Sequence, residues 1–213
     1  MNQTNLQLKQ FKQTECCLNR DYAEWHKGRK YYCVWCILID QEDIVQRAKL
    51  AQQLLHPALH SQTQRQLHIS LFINGFIGLE ASYNDDISIS CLQRQINDLE
   101  QLKLAPFSLI VTGLDSFASA AFLQVDASAE LKLLRETLSS ASEVRFQAYI
   151  PHITLGLYKL PLCQDQLLAY RNYLNTQTLT LNVRSISLCL YNASALFSSL
   201  EEIYRLELHP PNT

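Results

Sequence analysis

Two stretches of the chain carry the same four-residue pattern: QLHISLFING (66–75) and YIPHITLGLY (149–158). Within them stand His68-Ile69-Ser70-Leu71 and His152-Ile153-Thr154-Leu155. Alternation of polar and aliphatic residues predicts a half-buried β-strand, whose successive side chains point to opposite faces of a sheet. Each stretch therefore presents an imidazole and a hydroxyl on one face and aliphatic side chains to a core on the other. We refer to these two four-residue motifs as the tetrads.

The elements around the tetrads follow a repeated order. Apolar spacing and turn signals predict strands and helices in the order strand 31–39, a helix ended by Pro57, strand 66–73, helix 88–100, strand 107–113, strand 121–126, a helix after Ser128, strand 149–158, helix 165–174, strand 179–190 and strand 202–208. Strands mixed with helices, without a long run of βαβ units, indicate an α+β fold. We expect a single bilobal domain over residues 29–209, with halves at about 31–112 and 120–208. Two small sheets backed by helices would then face each other.

Local signals refine this outline. Asp40 is expected to cap the first of these helices, and Ser128 to cap a later one. Asp21 and Glu24 stand at capping-box spacing ahead of Trp25 in a polar leader, residues 1–28. The sequence leaves open whether this leader is a loose tail or a strap across the domain.

Composition excludes several classes of function. A net charge of −2 argues against a broad basic face for nonspecific nucleic-acid binding. The five glycines fit neither GxGxxG nor GxxxxGK, the two commonest phosphate-binding loops. The longest apolar run, Tyr31 to Ile39, is too short to span a bilayer as a helix. Seven cysteines without disulfide spacing indicate reduced thiols, and hence a cytoplasmic protein.

Two imidazoles and two hydroxyls in one cleft suit attack on a phosphodiester. One imidazole can take a proton from the nucleophile while the other gives a proton to the leaving group. The hydroxyls can donate hydrogen bonds to the non-bridging oxygens, where negative charge develops. This chemistry requires no metal ion and no cofactor.

The surroundings of the tetrads make a resemblance specific. LHISLFING and YIPHITLG resemble the two motifs of the two-histidine (2H) phosphoesterase superfamily, which includes bacterial RNA 2′,3′-cyclic phosphodiesterases of the 2′-5′ RNA ligase type. An aromatic residue and a glycine follow the first motif, as Phe72 and Gly75 do here, and Pro151 precedes the second. PFSLIVTGLDSF and SISLCLYNAS are similar to later family segments, so the resemblance covers about residues 30–208.

The resemblance implies a bilobal α+β fold with pseudo-twofold symmetry and a cleft between the lobes. It implies that His68 and His152 are the acid–base pair and that Ser70 and Thr154 hold the phosphate. By similarity, His152 is the base toward water and His68 the acid toward the leaving ribose oxygen.

One departure from the family pattern concerns charge. Bacterial relatives often carry an arginine shortly after the second motif, where this chain has Gly156-Leu157-Tyr158. Either Arg65, Arg145 or Lys159 supplies the missing cation, or the substrate is a small nucleotide with little extra charge.

Strand parity adds candidate substrate-binding residues. If both strands stay regular, Phe72, Asn74, Gly156 and Tyr158 face the cleft with the histidines, and a base could stack on Phe72 or Tyr158. Tyr149 is a further candidate beside the second tetrad.

Other motifs are given structural interpretations. Cys33 and Cys36 lie three apart within a strand, so they face opposite sides and are expected to be buried. His56 and His60 are interpreted as surface histidines, and His26 and His209 as histidines without evident partners.

Three functions remain open at this point. The first is metal-independent hydrolysis of 2′,3′-cyclic phosphates on a small nucleotide or an RNA end. The others are a non-catalytic module that binds nucleotides or RNA ends and a reversible 2′-5′ RNA ligase. The expected partner is a small nucleotide or RNA-end substrate, and the expected state is a monomer without membrane contact.

Overall fold

The computed structural model describes residues 7–60, 64–80, 82–140, 149–174 and 177–209. This part of the chain contains a short 3-10 helix at Gln7–Gln10, five α-helices and nine strands. In chain order they are α1 (Ala23–His26), β1 (Tyr31–Leu38), α2 (Glu42–Leu55), β2 (His68–Gly78), β3 (Asp86–Ser88), α3 (Ile89–Leu102), β4 (Phe107–Ser116), β5 (Ala120–Val125), α4 (Ala129–Ser140), β6 (His152–Leu157), α5 (Gln164–Leu174), β7 (Leu179–Val183), β8 (Ser185–Asn192) and β9 (Glu201–Glu207).

All nine strands belong to one sheet, in the order β7-β4-β5-β6-β2-β1-β8-β9, with β3 beside β2. Only the β2–β3 pair is parallel. At the centre, β2 and β6 are paired at Ile69 and Ile153 alone, whereas the other neighbours pair over several residues. The sheet thus consists of a four-stranded half, β7-β4-β5-β6, and a five-stranded half, β2-β1-β8-β9 with β3, which meet at the tetrads. The α+β prediction is confirmed.

The two halves of the sheet are not the two halves of the sequence. The predicted strand 179–190 is in fact two strands, β7 and β8, which separate at Arg184 and lie near opposite ends of the sheet. β7 pairs with β4, while β8 pairs with β1. The prediction of one strand was wrong because polar and apolar residues alternate on both sides of Arg184-Ser185, and no glycine or proline marks the crossing.

The main core lies between one face of the sheet and the helices. In α2 the predicted stripe of Ile44, Ala48, Ala51 and Leu55 is fully buried. A smaller apolar cluster lies on the other face of β1 and β8, formed by Val34, Cys36, Cys189 and Leu200. No helix in the described ranges is long and apolar enough to cross a membrane.

Three local predictions about helix ends met different outcomes. Ser128 caps α4 as expected, since its hydroxyl accepts a hydrogen bond from the backbone N–H of Leu131 at 3.2 Å. Asp40 does not cap α2, whose N-cap is Gln41 without a side-chain bond. No side chain caps α1 either, because Asp21 lies instead 2.6 Å from Nε2 of His26. The expectation that His26 has no partner was therefore wrong.

Residues 7–17 of the leader contact β4 and the residue that follows β6, whereas α1 contacts β1 and β2 through the ring of Trp25. The backbone N–H groups of Gln7 and Leu8 both donate to the buried carboxylate of Asp115 at 2.9 Å, and Leu8 is fully buried. Further along, the N–H of Cys17 donates to the carbonyl of Tyr158 at 2.7 Å. Of the two interpretations left open, these contacts favour the strap.

Candidate active site

The two tetrads meet at the junction of the half-sheets. Because β2 and β6 run antiparallel and pair at Ile69 and Ile153, His68 lies beside Thr154 and Ser70 lies beside His152. Both isoleucines are fully buried, while the four polar side chains are half-buried on the opposite face. The structure thus brings together the four residues that the sequence singled out.

Both imidazoles are held by the same local device. Nδ1 of His68 lies 2.8 Å from the carbonyl oxygen of Gln66, and Nδ1 of His152 lies 2.7 Å from that of Ile150. A carbonyl only accepts, so each Nδ1 carries the proton and each neutral ring leaves Nε2 as an acceptor. Among the described residues, neither Nε2 has a hydrogen-bond partner. Each Nε2 is therefore available for proton transfer.

Burial keeps both imidazoles uncharged in the ligand-free protein. It lowers the pKa of His68 to about 4. The hydrogen bond to Gln66 opposes this effect, and the nearby Arg65 and His152 lower the pKa by smaller amounts. The pKa of His152 is lowered by burial as well, partly offset by its bond to Ile150. At neutral pH both rings are bases, and an anion bound between them would favour protonation of one.

The lowered pKa of His68 predicts a loss of stability in mild acid. The ordinary pKa of 6.5 applies in the unfolded chain, so between pH 6.5 and 4 the unfolded state binds more protons than the folded state. Stability rises with pH under that condition. The free energy of unfolding therefore has its full value above pH 7 and decreases as the pH is lowered toward 4.5. Urea unfolding at several pH values should show a shallower fall for His68→Gln than for the wild type. Parallel curves would contradict the assignment.

Aromatic side chains flank His152, and sequence reasoning missed them. The rings of Phe117 and Phe122 lie with centroids 5.0 and 5.1 Å from the imidazole. Phe122 stands opposite Thr154 in the β5–β6 pairing and so shares its face. The alternation in AFLQVD could have placed Phe122 on the site face, but its strand partner was not known from sequence.

A cavity of about 230 Å³ opens beside the first histidine. Its lining includes three of the four polar residues of the tetrads, His68, Ser70 and Thr154, together with Gly156, and does not include His152. Arg65, His60, Leu196 and Phe197 also line it. The interpretation of His60 as a surface histidine was wrong, because its Nε2 donates to the carbonyl of Cys17 at 2.8 Å and its ring lines this cavity.

Phe72 does not face the cleft, because β2 is not regular. Trp35 pairs with Phe72 and the next residue, Cys36, pairs with Ser70, so Leu71 is an extra residue in a β-bulge. The bulge turns Phe72 to the helix side of the sheet, where it packs in the main core, and leaves Ile73 exposed.

Asn74 and Tyr158 are also fully buried and do not line the cavity. The amide oxygen of Asn74 accepts from Gln95 on α3 at 2.9 Å. The hydroxyl of Tyr158 lies 2.7 Å from that of Ser116. These two residues therefore have structural partners in place of the expected substrate.

Tyr149 contacts the tetrads through the backbone. Its hydroxyl donates to the carbonyl oxygen of Ser70 at 2.9 Å, and the guanidinium of Arg135 lies 3.8 Å from the centre of its ring. Tyr149 does not line the cavity beside His68.

Of the three cations suggested by the missing post-motif arginine, Arg65 lies at the site. It lines the cavity beside His68, whereas Lys159 does not, and Arg145 lies outside the described residues. Its Nε donates to the carbonyl of Ser198 and its Nη2 to that of Leu196, both at 3.2 Å. Arg65 thus brings positive charge to the cleft and also holds residues 196–198 in place beside the cavity.

The other motifs have the structural roles expected. Cys33 and Cys36 are fully buried, on opposite faces of β1. Within the described segments, no three histidine, cysteine or acidic side chains are grouped as metal ligands would be.

Solved structures share this fold. The Thermus thermophilus protein TT0787 matches with a TM-score of 0.62 and 14% identity over 85% of this chain and 100% of that one. Escherichia coli LigT in complex with 3′-AMP matches with a TM-score of 0.56 and 11% identity, over 85% and 99%. A conserved protein of unknown function from Agrobacterium tumefaciens matches at 0.56 and 15%, over 84% and 86%. At these identities the likeness concerns the fold alone.

Sequence comparison places the chain in a family. No curated protein matches it. A family model described as the 2′-5′ RNA ligase superfamily matches residues 39–195, which include both tetrads and the strands that join at them. The match confirms the resemblance drawn from the two motifs, and the chain belongs to the 2′-5′ RNA ligase superfamily of two-histidine phosphoesterases.

Proposed function

We propose that this protein is a metal-independent phosphodiesterase that hydrolyses 2′,3′-cyclic phosphates of nucleotides or RNA ends. The observation that supports the proposal best is the matched pair of imidazoles, each fixed through Nδ1 with Nε2 available, on one face with Ser70 and Thr154. A phosphate between the strands would have a base on one side and an acid on the other. We further propose that the protein acts as a cytoplasmic monomer and needs no cofactor.

In the proposed reaction, Nε2 of His152 takes a proton from water as the water oxygen attacks phosphorus. Nε2 of His68 gives its proton to the ribose oxygen whose bond to phosphorus breaks, so one proton enters and one leaves the imidazole pair. Because His68 has a lowered pKa, it gains the proton it needs only with the anionic substrate in place. The hydroxyls of Ser70 and Thr154 would donate to the non-bridging oxygens.

Two observations favour a nucleotide-sized substrate. The cavity of about 230 Å³ is small and lies next to His68. Among the described residues that line it, Arg65 is the one lysine or arginine. Within the same superfamily fold, LigT has been crystallised with the nucleotide 3′-AMP. Large RNA substrates would need more positive charge than a net charge of −2 provides.

The proposal is tested by turnover of the four nucleoside 2′,3′-cyclic monophosphates in EDTA between pH 5 and 9. We expect hydrolysis with a bell-shaped dependence of the rate on pH, since one imidazole must be neutral and the other charged. Tight binding of these nucleotides without turnover would replace the enzyme with a binding module. Joining of RNA ends with 2′-5′ linkages, without cyclic nucleotide hydrolysis, would favour the ligase.

A further inference from the structure

Part of the cavity wall is formed by a loop between β8 and β9, residues 193–200, which we call the β8–β9 loop. Two of its side chains, Leu196 and Phe197, line the cavity. The loop is far in sequence from both tetrads and has no part in their chemistry. The chemistry of the tetrads therefore does not explain why this loop lies beside His68.

Three consecutive residues just before the first tetrad hold the β8–β9 loop by its backbone. The N–H of Gln64 donates to the carbonyl of Phe197 at 3.1 Å, and Arg65 donates to the carbonyls of Leu196 and Ser198. The side chain of Gln66 binds Leu200 at both ends: Nε2 donates to its carbonyl at 2.9 Å, and Oε1 accepts from its N–H at 2.8 Å.

The same segment also fixes the histidine. The carbonyl oxygen of Gln66, whose side chain holds Leu200, accepts from Nδ1 of His68. A single short stretch of backbone thus sets both the orientation of the imidazole and the position of Phe197. The ring of Phe197 and the imidazole of His68 are therefore fixed relative to each other.

Phe197 presents a half-buried aromatic ring on this wall. The imidazole of His60, which lines the same cavity, lies beside this ring, with centroids 5.1 Å apart and planes tilted by 48°. His60 is itself fixed to the leader through Cys17 and by its own backbone to Leu157. An aromatic ring that is held in place and lines a cavity is a suitable surface for stacking a planar base.

We propose that Phe197 is a specificity-determining residue that stacks the nucleobase of the substrate, with Gln64, Arg65 and Gln66 as the residues that position it. The inference rests on the proposed function, because it places the phosphate at the tetrads and the nucleoside in the cavity beside His68. It follows that the substrate is a phosphate that carries a nucleobase. Phe197 takes the stacking role that the sequence suggested for Phe72 or Tyr158, both of which are buried.

Binding measurements on the full-length protein test this inference without requiring turnover. Isothermal titration with adenosine 3′-monophosphate and with inorganic phosphate would compare the wild type, Phe197→Ala and Phe197→Tyr. We expect Phe197→Ala to weaken nucleotide binding on the order of tenfold or more and to leave phosphate binding unchanged, because a stacked base is lost while the tetrads remain. Phe197→Tyr, which keeps the aromatic face, should bind the nucleotide within about twofold of the wild type. Tyr173→Ala is the matched control, since that ring is exposed on α5.

The outcomes separate this inference from the function on which it rests. Equal weakening of both ligands by Phe197→Ala, or unchanged nucleotide affinity, would overturn the role of Phe197. A wild type that binds phosphate as well as it binds the nucleotide would do the same. Base-dependent binding through Phe197 without hydrolysis of any cyclic nucleotide would support the stacking role of Phe197 and overturn the proposed hydrolysis.

Discussion

Replacing His68 or His152 with alanine is expected to lower kcat for 2′,3′-cyclic nucleotides by about 10²- to 10⁴-fold. This is the usual contribution of a positioned general acid or base. The two variants should differ in their pH profiles. Without the base His152, the rate should lose its rise on the acid side; without the acid His68, it should lose its fall on the alkaline side. Steady-state rates from pH 5 to 9 measure both effects.

His56→Ala serves as the control for these two variants, because His56 is an exposed histidine at the end of α2. Its rate should equal that of the wild type. A single-histidine variant with a kcat within about threefold of the wild type would remove that residue from the proton-transfer scheme. If the two pH profiles are exchanged, the roles of acid and base are reversed while the pair is retained.

Replacing Gln95 with alanine is expected to destabilise the fold by about 3 kcal/mol. The side chain is fully buried on α3, where Oε1 accepts from Nε1 of Trp35 and Nε2 donates to Asn74 and to the carbonyl of Leu138. Its removal leaves three buried polar groups without their partner, and each costs about 1–3 kcal/mol when unsatisfied, less any relaxation. Urea unfolding monitored by tryptophan fluorescence measures the change.

Gln93→Ala is the matched control, since Gln93 lies on the same helix but is exposed. Its effect on stability should stay below about 0.5 kcal/mol. If Gln95→Ala lowered the free energy of unfolding no more than Gln93→Ala does, the buried hydrogen-bond network would make no net contribution to stability. Because Asn74 belongs to the network, Asn74→Ala should likewise lower stability while leaving the KM for cyclic nucleotides unchanged.

The site face of the tetrads could be predicted from sequence because the information is local. His and Ser or Thr two residues apart on a strand must share a face, and the intervening aliphatic residues must share the other. The structure follows this alternation from His68 to Leu71 and from His152 to Leu155. The family match over residues 39–195 includes both motifs.

The prediction failed where the strand geometry changed. Phe72 was assigned to the cleft by counting in twos, but the bulge at Leu71 reverses parity as far as a second irregularity at Asn74. A bulge depends on how the partner strand pairs, and nothing in LHISLFING marks it. The same limit applies to β7 and β8, which the alternation joined into one strand.

The remaining part of the site could not be predicted because it depends on contacts between distant residues. Arg65 was one of three candidate cations, and its place in the cavity lining and its bonds to Leu196 and Ser198 distinguish it from Lys159. Phe197 lies in a segment, SALFSS, that has no motif of its own. Its importance follows from hydrogen bonds across more than 130 positions of the chain.

The pairing of β1 with β8 has a consequence for how the chain is made. During translation, β1 leaves the ribosome long before its neighbour, because β8 begins at Ser185 while β1 ends at Leu38. At ordinary synthesis rates this delay is on the order of ten seconds, during which one apolar edge of β1 has no native partner. Unpaired edges recruit other strands, so the nascent chain is most prone to aggregate in this interval. A polypeptide that ends before residue 185 would keep both tetrads and still lack the strand that closes this edge.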